Sequence, residues 1–279
     1  MDKRETTREI TVRNLKIGGK SPVTVQSMCN TKTWDVEATL RQIRAFQTAG
    51  CDIVRLAVPD IRSAEALSAI REGTDMPLVA DIHFDYKLAL EAIKQGISAL
   101  RLNPGNIGGE EKVRAVVKAA KEAHIPIRIG VNSGSIEKDI LDRDGGVTPQ
   151  GMVDSALRHA AMLEHAGFSD IVLSMKASGV RETIAAYRLA SQSCSYPLHV
   201  GVTEAGLPGQ GTIKSAIGIG SLLSDGIGDT IRVSLTGSPI PEAKAAWDIL
   251  RALDIRQSGV QLVSCPTCGR TRINLPEIA

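Results

Sequence analysis

From Val23 onward the sequence repeats one unit eight times: a short β-rich run, a polar turn, then a stretch whose apolar residues recur every three or four positions. The runs are VTVQSM, DIVRLAV, PLVADIH, ALRLN, PIRIGVN, DIVLSMKAS, LHVGVTE and TIRVSL. Between them lie helix-patterned segments such as DVEATLRQIRAFQTAG, SAEALSAIREG, EEKVRAVVKAAKEA, PQGMVDSALRHAAMLEHAG and PEAKAAWDILRAL, most ending at Gly or Pro. Eight βα units in about 230 residues predict an α/β fold of one kind, a closed (β/α)8 TIM barrel with right-handed crossovers and no free sheet edge. An open doubly wound sheet is the alternative, but it calls for a glycine-rich phosphate loop after the first strand, and QSMCNTKTWD is not one. Residues 8 to 20 read as a short hairpin placed to plug the barrel floor, and near Asp254 the repeat stops.

With 43% hydrophobic and 23% charged residues in 279, the chain can bury a full core. A net charge of +2 is too small for bulk electrostatic attraction to nucleic acid or a membrane surface. No apolar stretch approaches the roughly 20 residues that span a bilayer, and the polar start MDKRETTREI is no signal peptide. These features predict a cytoplasmic protein with reduced thiols and no nucleic-acid or membrane partner.

In such a barrel the chemistry gathers where strands end. Polar residues close nearly every run: Gln26 and Ser27; Arg55; Asp81 and His83; Arg101 and Asn103; Arg128 and Asn132; Ser174, Lys176 and Ser178; Thr203 and Glu204; Arg232 and Ser234. Arg55, Arg101, Arg128, Lys176 and Arg232 are five cations from five strands, which a barrel aims at one mouth. Guanidinium groups hold phosphate oxygens two at a time, so the cluster points to a polyanionic ligand. Taken singly, each Arg has an equal claim to a structural bridge. Asp81 and Glu204 are the acids that end strands nearby, too few to compensate all five. His83 reads equally as a general acid or a rim residue, with Asp81 orienting it or bonding a substrate hydroxyl. Glu204 reads as a proton donor or as an anchor for the arginines. Lys176 has a second reading as a Schiff-base lysine. The stretch GLPGQGTIKSAIG offers backbone N–H groups at a helix start, a weak phosphate signal.

Cys29, Cys51 and Cys194 lack metal-ligand spacing and read as small buried or rim thiols. Cys265 and Cys268 differ, because SCPTCGR lets both sulfurs face one metal centre, a zinc half-site or part of an iron–sulfur site. Two thiolates complete neither, and no further CxxC or Cys/His pair follows before Ala279.

Taken together, VQSMCNT, IVRLAVP, LVADIHFD, LRLNPGNIG, IPIRIGVNSGSIEKD, SMKAS, GVTEAG, GIGDTIRVSL and SCPTCGR resemble the bacterial 4-hydroxy-3-methylbut-2-en-1-yl diphosphate synthase family over almost the whole chain. The resemblance implies a dihydropteroate-synthase-like barrel in residues 1–256, followed in 257–279 by the start of an iron–sulfur domain whose remainder is absent. It implies an oxidoreductase of isoprenoid biosynthesis that opens 2-C-methyl-D-erythritol 2,4-cyclodiphosphate by two-electron reductive dehydration. Arg55, Arg101, Arg128, Asn132, Lys176, Arg232 and Ser234 would grip the cyclic diphosphate, and Asp81, His83, Asn103, Thr203 and Glu204 would line the pocket, Glu204 or His83 donating the proton. Ferredoxin or flavodoxin would supply electrons through a 4Fe-4S cluster, with Cys265 and Cys268 as its first two ligands. The third cysteine and the glutamate of that ligand set are absent, as is the domain that caps the partner's barrel in the family's head-to-tail homodimer. The expectation for these 279 residues is therefore substrate binding without turnover.

Overall fold

The computed structural model describes residues 3 to 257 and 263 to 278. Residues 258 to 262, where the sequence predicts the second domain to begin, lie outside the described residues, as do 1, 2 and 279.

A two-stranded antiparallel hairpin comes first, β1 (Ile10–Val12) with β2 (Leu15–Ile17). Eight strands follow: β3 (Thr24–Met28), β4 (Ile53–Ala57), β5 (Leu78–Asp81), β6 (Ala99–Leu102), β7 (Ile127–Asn132), β8 (Ile171–Lys176), β9 (His199–Val200) and β10 (Thr230–Ile231). All their pairings are parallel, in the order β8-β7-β6-β5-β4-β3-β10-β9, and a parallel bridge between Leu173 and Leu198 joins the two ends of the row. This is the predicted (β/α)8 barrel, in which closure leaves no edge strand.

The strands form because their β-branched, apolar residues are covered on both sides, by helices outside and by one another within. The helices lie outside because each has one apolar stripe: Glu110–Glu122 buries Val113, Val116, Val117 and Ala120 and starts on Glu110 and Glu111, which suit the positive end of its dipole. Their entries are set by caps. Asp35 accepts from the Ala38 N–H, and Thr148 accepts from the Gly151 N–H ahead of Pro149. The predicted single segment SAEALSAIREG is two short helices, Ile61–Glu65 and Leu67–Glu72, meeting at Ala66, which keeps helical dihedrals.

Inside the barrel, side chains alternate with the two-residue period of a strand. Ile53, Val79, Ala99 and Val172 point inward near the strand starts, where Ile10, Val12 and Ile17 of the hairpin pack on them as one buried cluster. The hairpin therefore seals the floor. Two residues further along the same strands come Arg55, Asp81, Arg101 and Ser174, so the lumen turns from apolar to charged within one side-chain layer. At the other end of the barrel sequence, Arg256 donates to the Val23 carbonyl and to Asp52 (2.6 Å) while lying 4.3 Å over the Trp247 ring. That clamp ties the last barrel helix, Ile240–Ala252, back to the entries of β3 and β4.

Ile17→Ala removes a buried side chain from the floor and is expected to cost about 2–4 kcal/mol in urea-induced unfolding. A cost near zero would mean that the hairpin does not seal the barrel.

Candidate active site

The five cations predicted from the strand ends meet at the mouth of the barrel. Arg101 and Arg128 are direct cross-strand partners on β6 and β7, Asp81 is the partner of Arg101 on β5, and Asn132 is the partner of Lys176 on β8. Asp81 is the hub of one half: its carboxylate lies 3.2 Å from Arg101, 3.7 Å from Arg55 and 3.3 Å from His83 Nε2. Burial opposes its ionisation, but the Arg55 charge, the His83 hydrogen bond and Arg101 outweigh that penalty and hold the carboxyl well below the usual range. Glu242 is the hub of the other half, 3.4 Å from Arg232 Nε, accepting from Ser27 Oγ (2.9 Å) and the Leu235 N–H (3.0 Å). The Met28 sulfur sits between the halves, 3.0 Å from Arg55 Nε and 3.8 Å from Arg232 Nη1.

Glu242 corrects the sequence reading in one respect. The acids expected near the cluster were Asp81 and Glu204, yet among the described residues Glu204 forms no ion pair with the arginines and stands exposed at the rim. Its backbone holds the left-handed conformation at φ 51°, sparsely populated for a non-glycine residue. The compensating acid is instead Glu242, 3% exposed in the first turn of the last barrel helix.

Compensation is incomplete. Lys176, 7% exposed, has no hydrogen bond or ion pair among the described residues. Burial, followed by the charges of Arg232, Arg55, Arg128 and Arg101, drives its ammonium well below the ordinary lysine range. Arg128 donates one bond, to Gln26 Oε1 at 2.6 Å, while its Nη2 is buried without a partner. Two glycines make the crowding possible: a Cβ at Gly130 would overlap the Arg101 guanidinium, and one at Gly201 would lie 2.9 Å from Lys176 Nζ and against the Arg232 carbonyl.

Beside the cluster opens a cavity of about 290 Å³, whose wall includes His83, Arg101, Asn103, Asn132, Thr203 and Glu204. Asp81, Arg55, Arg128, Lys176, Arg232 and Ser234 are not part of that wall; all but Ser234 belong to the charged layer alongside it. The loop after β7 completes the wall through Ser133, Gly134 and Ser135, folded back by the bond from the Asn132 N–H to Ser135 Oγ (3.0 Å). Asn103 Oδ1 accepts from the Gly105 N–H, but its Nδ2 is buried without a partner. The residues behind this loop were not anticipated. His159, 2% exposed, lies 3.2 Å from Glu137 and packs behind Gly105, bracing the loops after β6 and β7 against one helix.

Cys29 and Cys51 are buried, and burial pushes both thiols up to about 12, so they are inert packing groups. Cys265 and Cys268 are exposed on one turn, and the Cys268 thiol is lowered by hydrogen bonds from Arg270 and Thr271. That environment favours a thiolate ligand. Among the described residues, however, no third His, Cys, Asp or Glu joins them, so these two thiols do not by themselves fit a complete iron–sulfur cluster.

Because Asp81 is depressed in the folded protein, its stabilisation is present above the unfolded carboxyl value near 4 and is lost as pH falls from there toward the folded value. Asp81→Asn is therefore expected to destabilise strongly at pH 7 and somewhat less at about pH 3, where the loss has only begun, as read by urea unfolding at both. An equal penalty at the two pH values would show that the Asp81 charge does not hold Arg55 and Arg101.

The family described as the GcpE TIM-barrel domain matches residues 7–247. The chain is 60% identical over 277 residues to a protein of Ruminiclostridium cellulolyticum named 4-hydroxy-3-methylbut-2-en-1-yl diphosphate synthase (flavodoxin), covering 99% of this chain and 78% of the relative. A protein of the same name from Clostridium tetani is 60% identical over 279 residues, 100% of this chain and 80% of the relative. Among solved structures, the dihydropteroate synthase of Yersinia pestis superposes with a TM-score of 0.60 at 14% identity, over 88% of this chain and 98% of that one. The sialic acid synthetase of Leptospira borgpetersenii superposes at 0.63 and 12% identity, over 92% and 93%; both similarities concern the fold alone. With the family domain matching residues 7–247 and relatives this similar over nearly the whole of this chain, the chain belongs to the GcpE family of 4-hydroxy-3-methylbut-2-en-1-yl diphosphate synthases.

Proposed function

We propose that the mouth of this barrel binds 2-C-methyl-D-erythritol 2,4-cyclodiphosphate and orients it for reductive ring opening to 4-hydroxy-3-methylbut-2-enyl diphosphate. The observation that carries the reading is the surplus of charge: Arg55, Arg101, Arg128, Lys176 and Arg232 against Asp81 and Glu242, five positive groups less two negative ones, or three in excess. A cyclic diphosphate carries about two negative charges, and breaking its ring C–O bond frees a third on phosphate. The surplus therefore matches the opened form better than the closed one, which favours the direction of reaction at the phosphate end.

The proposed roles follow from position. Arg55, Arg101, Arg128, Lys176 and Arg232 take the phosphate oxygens, and the buried, unpartnered donors Arg128 Nη2 and Asn103 Nδ2 gain an acceptor that way. Asn132, Thr203 and Ser234 hydrogen-bond the ligand. His83, oriented by Asp81, and Glu204 reach the cavity from opposite loops and are the proton donors to the departing hydroxide.

Flavodoxin, the donor in the relatives' names, is the proposed source of electrons, and Cys265 and Cys268 would supply two thiolates to a 4Fe-4S cluster. A cluster of that kind supplies single-electron reduction when bound. Since the two thiols do not complete its ligand set, the 279 residues alone are proposed to bind the cyclic diphosphate without turning it over.

Calorimetric titration with the cyclic diphosphate tests the binding. Affinity is expected to fall at least about tenfold in Arg232→Met, roughly the loss of one charge-assisted bond, and to weaken with added salt. No binding by the unaltered chain would overturn the proposal. Incubation with reduced flavodoxin and substrate is expected to give no product, and turnover would refute the division of labour between barrel and cluster.

A further inference from the structure

The barrel closes between β8 and β9, and the closing seam is irregular. β8 pairs with β7 along its whole length, Ile171 to Lys176, but meets β9 at a bridge between Leu173 and Leu198. Backbone bonds cross the seam from the Leu173 N–H to the Pro197 carbonyl (2.9 Å) and, nearer the mouth, from the Thr203 N–H to the Ala177 carbonyl (3.2 Å). Both fit one parallel register, and that register calls for a bond between them from the Met175 N–H to the His199 carbonyl. Tyr187 stands in its place. From the helix Val180–Ser193 its phenol reaches between the strands, accepting from the Met175 N–H (3.1 Å) and donating to the His199 carbonyl. One hydrogen bond becomes two in series, so the strands are held wider at that height than a direct ladder would hold them. The side chain is fully buried, and burial pushes its hydroxyl up to about 12, which keeps the proton that it donates.

The site hangs on both sides of this seam. Lys176 follows Met175 on β8, and its ammonium lies across the seam against Gly201, just past β9. A Cβ at Gly201 would lie 2.9 Å from Lys176 Nζ and 2.4 Å from the Arg232 carbonyl oxygen, so Nζ has no slack there. A narrower seam would drive it into the backbone. Thr203 and Glu204, next along the chain from β9, line the cavity from the far side of the same seam. Resting on the anion-site reading above, we propose that Tyr187 is a positioning residue for substrate binding: its hydroxyl sets the width of the β8–β9 seam and thereby where Lys176 meets the phosphate. A phenol suits the task because it accepts and donates at once, leaving neither buried backbone group unpaired, and its ring is held rigid by the packing around it. Phenylalanine would leave both groups unbonded or let the strands close on each other, and either outcome moves Nζ away from its place among the arginines.

The test is calorimetric titration with the cyclic diphosphate on the unaltered chain, Tyr187→Phe, Lys176→Met and the double variant. Tyr187→Phe is expected to lower affinity about tenfold, but to change it less than about twofold once Lys176 is already Met, because coupled residues share one loss. Ile17→Ala, which weakens the distant floor, is expected to leave affinity unchanged, which separates placement from general stability. Binding by the unaltered chain with no loss in Tyr187→Phe, an equal loss in both backgrounds, or a comparable loss in Ile17→Ala would overturn the proposal and leave the anion site standing. Absence of binding by the unaltered chain would overturn the two together. Amide hydrogen exchange makes the same test with no substitution, should Tyr187→Phe fail to fold. The cyclic diphosphate is expected to slow exchange of the Met175 amide at least about threefold more than that of the Leu78 amide, which the Ser98 hydroxyl holds in a similar way away from the mouth. Equal slowing at the two amides would show that Tyr187 supports the fold without placing Lys176.

Discussion

Everything at the mouth of this barrel is arranged around an electrostatic conflict: cations from five strands share one desolvated layer with two carboxylates between them. Burying like charges together is costly, and the cost is tolerated only where a scaffold over-determines their positions. The closed ring of parallel strands does this: register sets Arg101 beside Arg128 and Lys176 beside Asn132, so none of these cations turns outward without carrying its whole strand with it. Asp81 serves Arg55 and Arg101 in one half of the cluster and Glu242 serves Arg232 in the other, leaving Lys176 and Arg128 with the least compensation. Stability and function pull apart at that point, as they commonly do where a site is built before its ligand arrives.

Much of the architecture was legible because a barrel strand must bury both faces, which writes short β-branched runs at regular spacing into the chain. The cation cluster was legible for a related reason: a charged residue at an inward position such as Arg101 in ALRL or Arg128 in IRIG has nowhere to go but the lumen. Glu242 was missed because PEAKAAWD reads as the solvated first turn of a surface helix. The signal was present all the same. In a βα unit the helix starts on the side where the strand ends, so an acid in its first turn sits at the rim. His159 and Glu137 were hidden differently, since their pairing joins a helix to a loop and no spacing along the chain announces it.

Glu204 shows the limit of reading roles from strand ends. As an acid ending a strand it had equal claims as arginine anchor and as proton donor, and the sequence offered nothing to separate them. The left-handed backbone turns it away from the arginines and onto the cavity wall, beside Thr203. Local conformation, set by one unusual φ, decided which neighbours it could have.

The floor hairpin has a last implication. With Ile10, Val12 and Ile17 stoppering one end, the lumen is a blind well with a greasy bottom and a single doorway. Field lines from the buried cations find little to polarise below and spread outward through the opening, so an approaching anion is funnelled from one direction only. A bound anion must leave by the way it came, so entry and exit share that one passage.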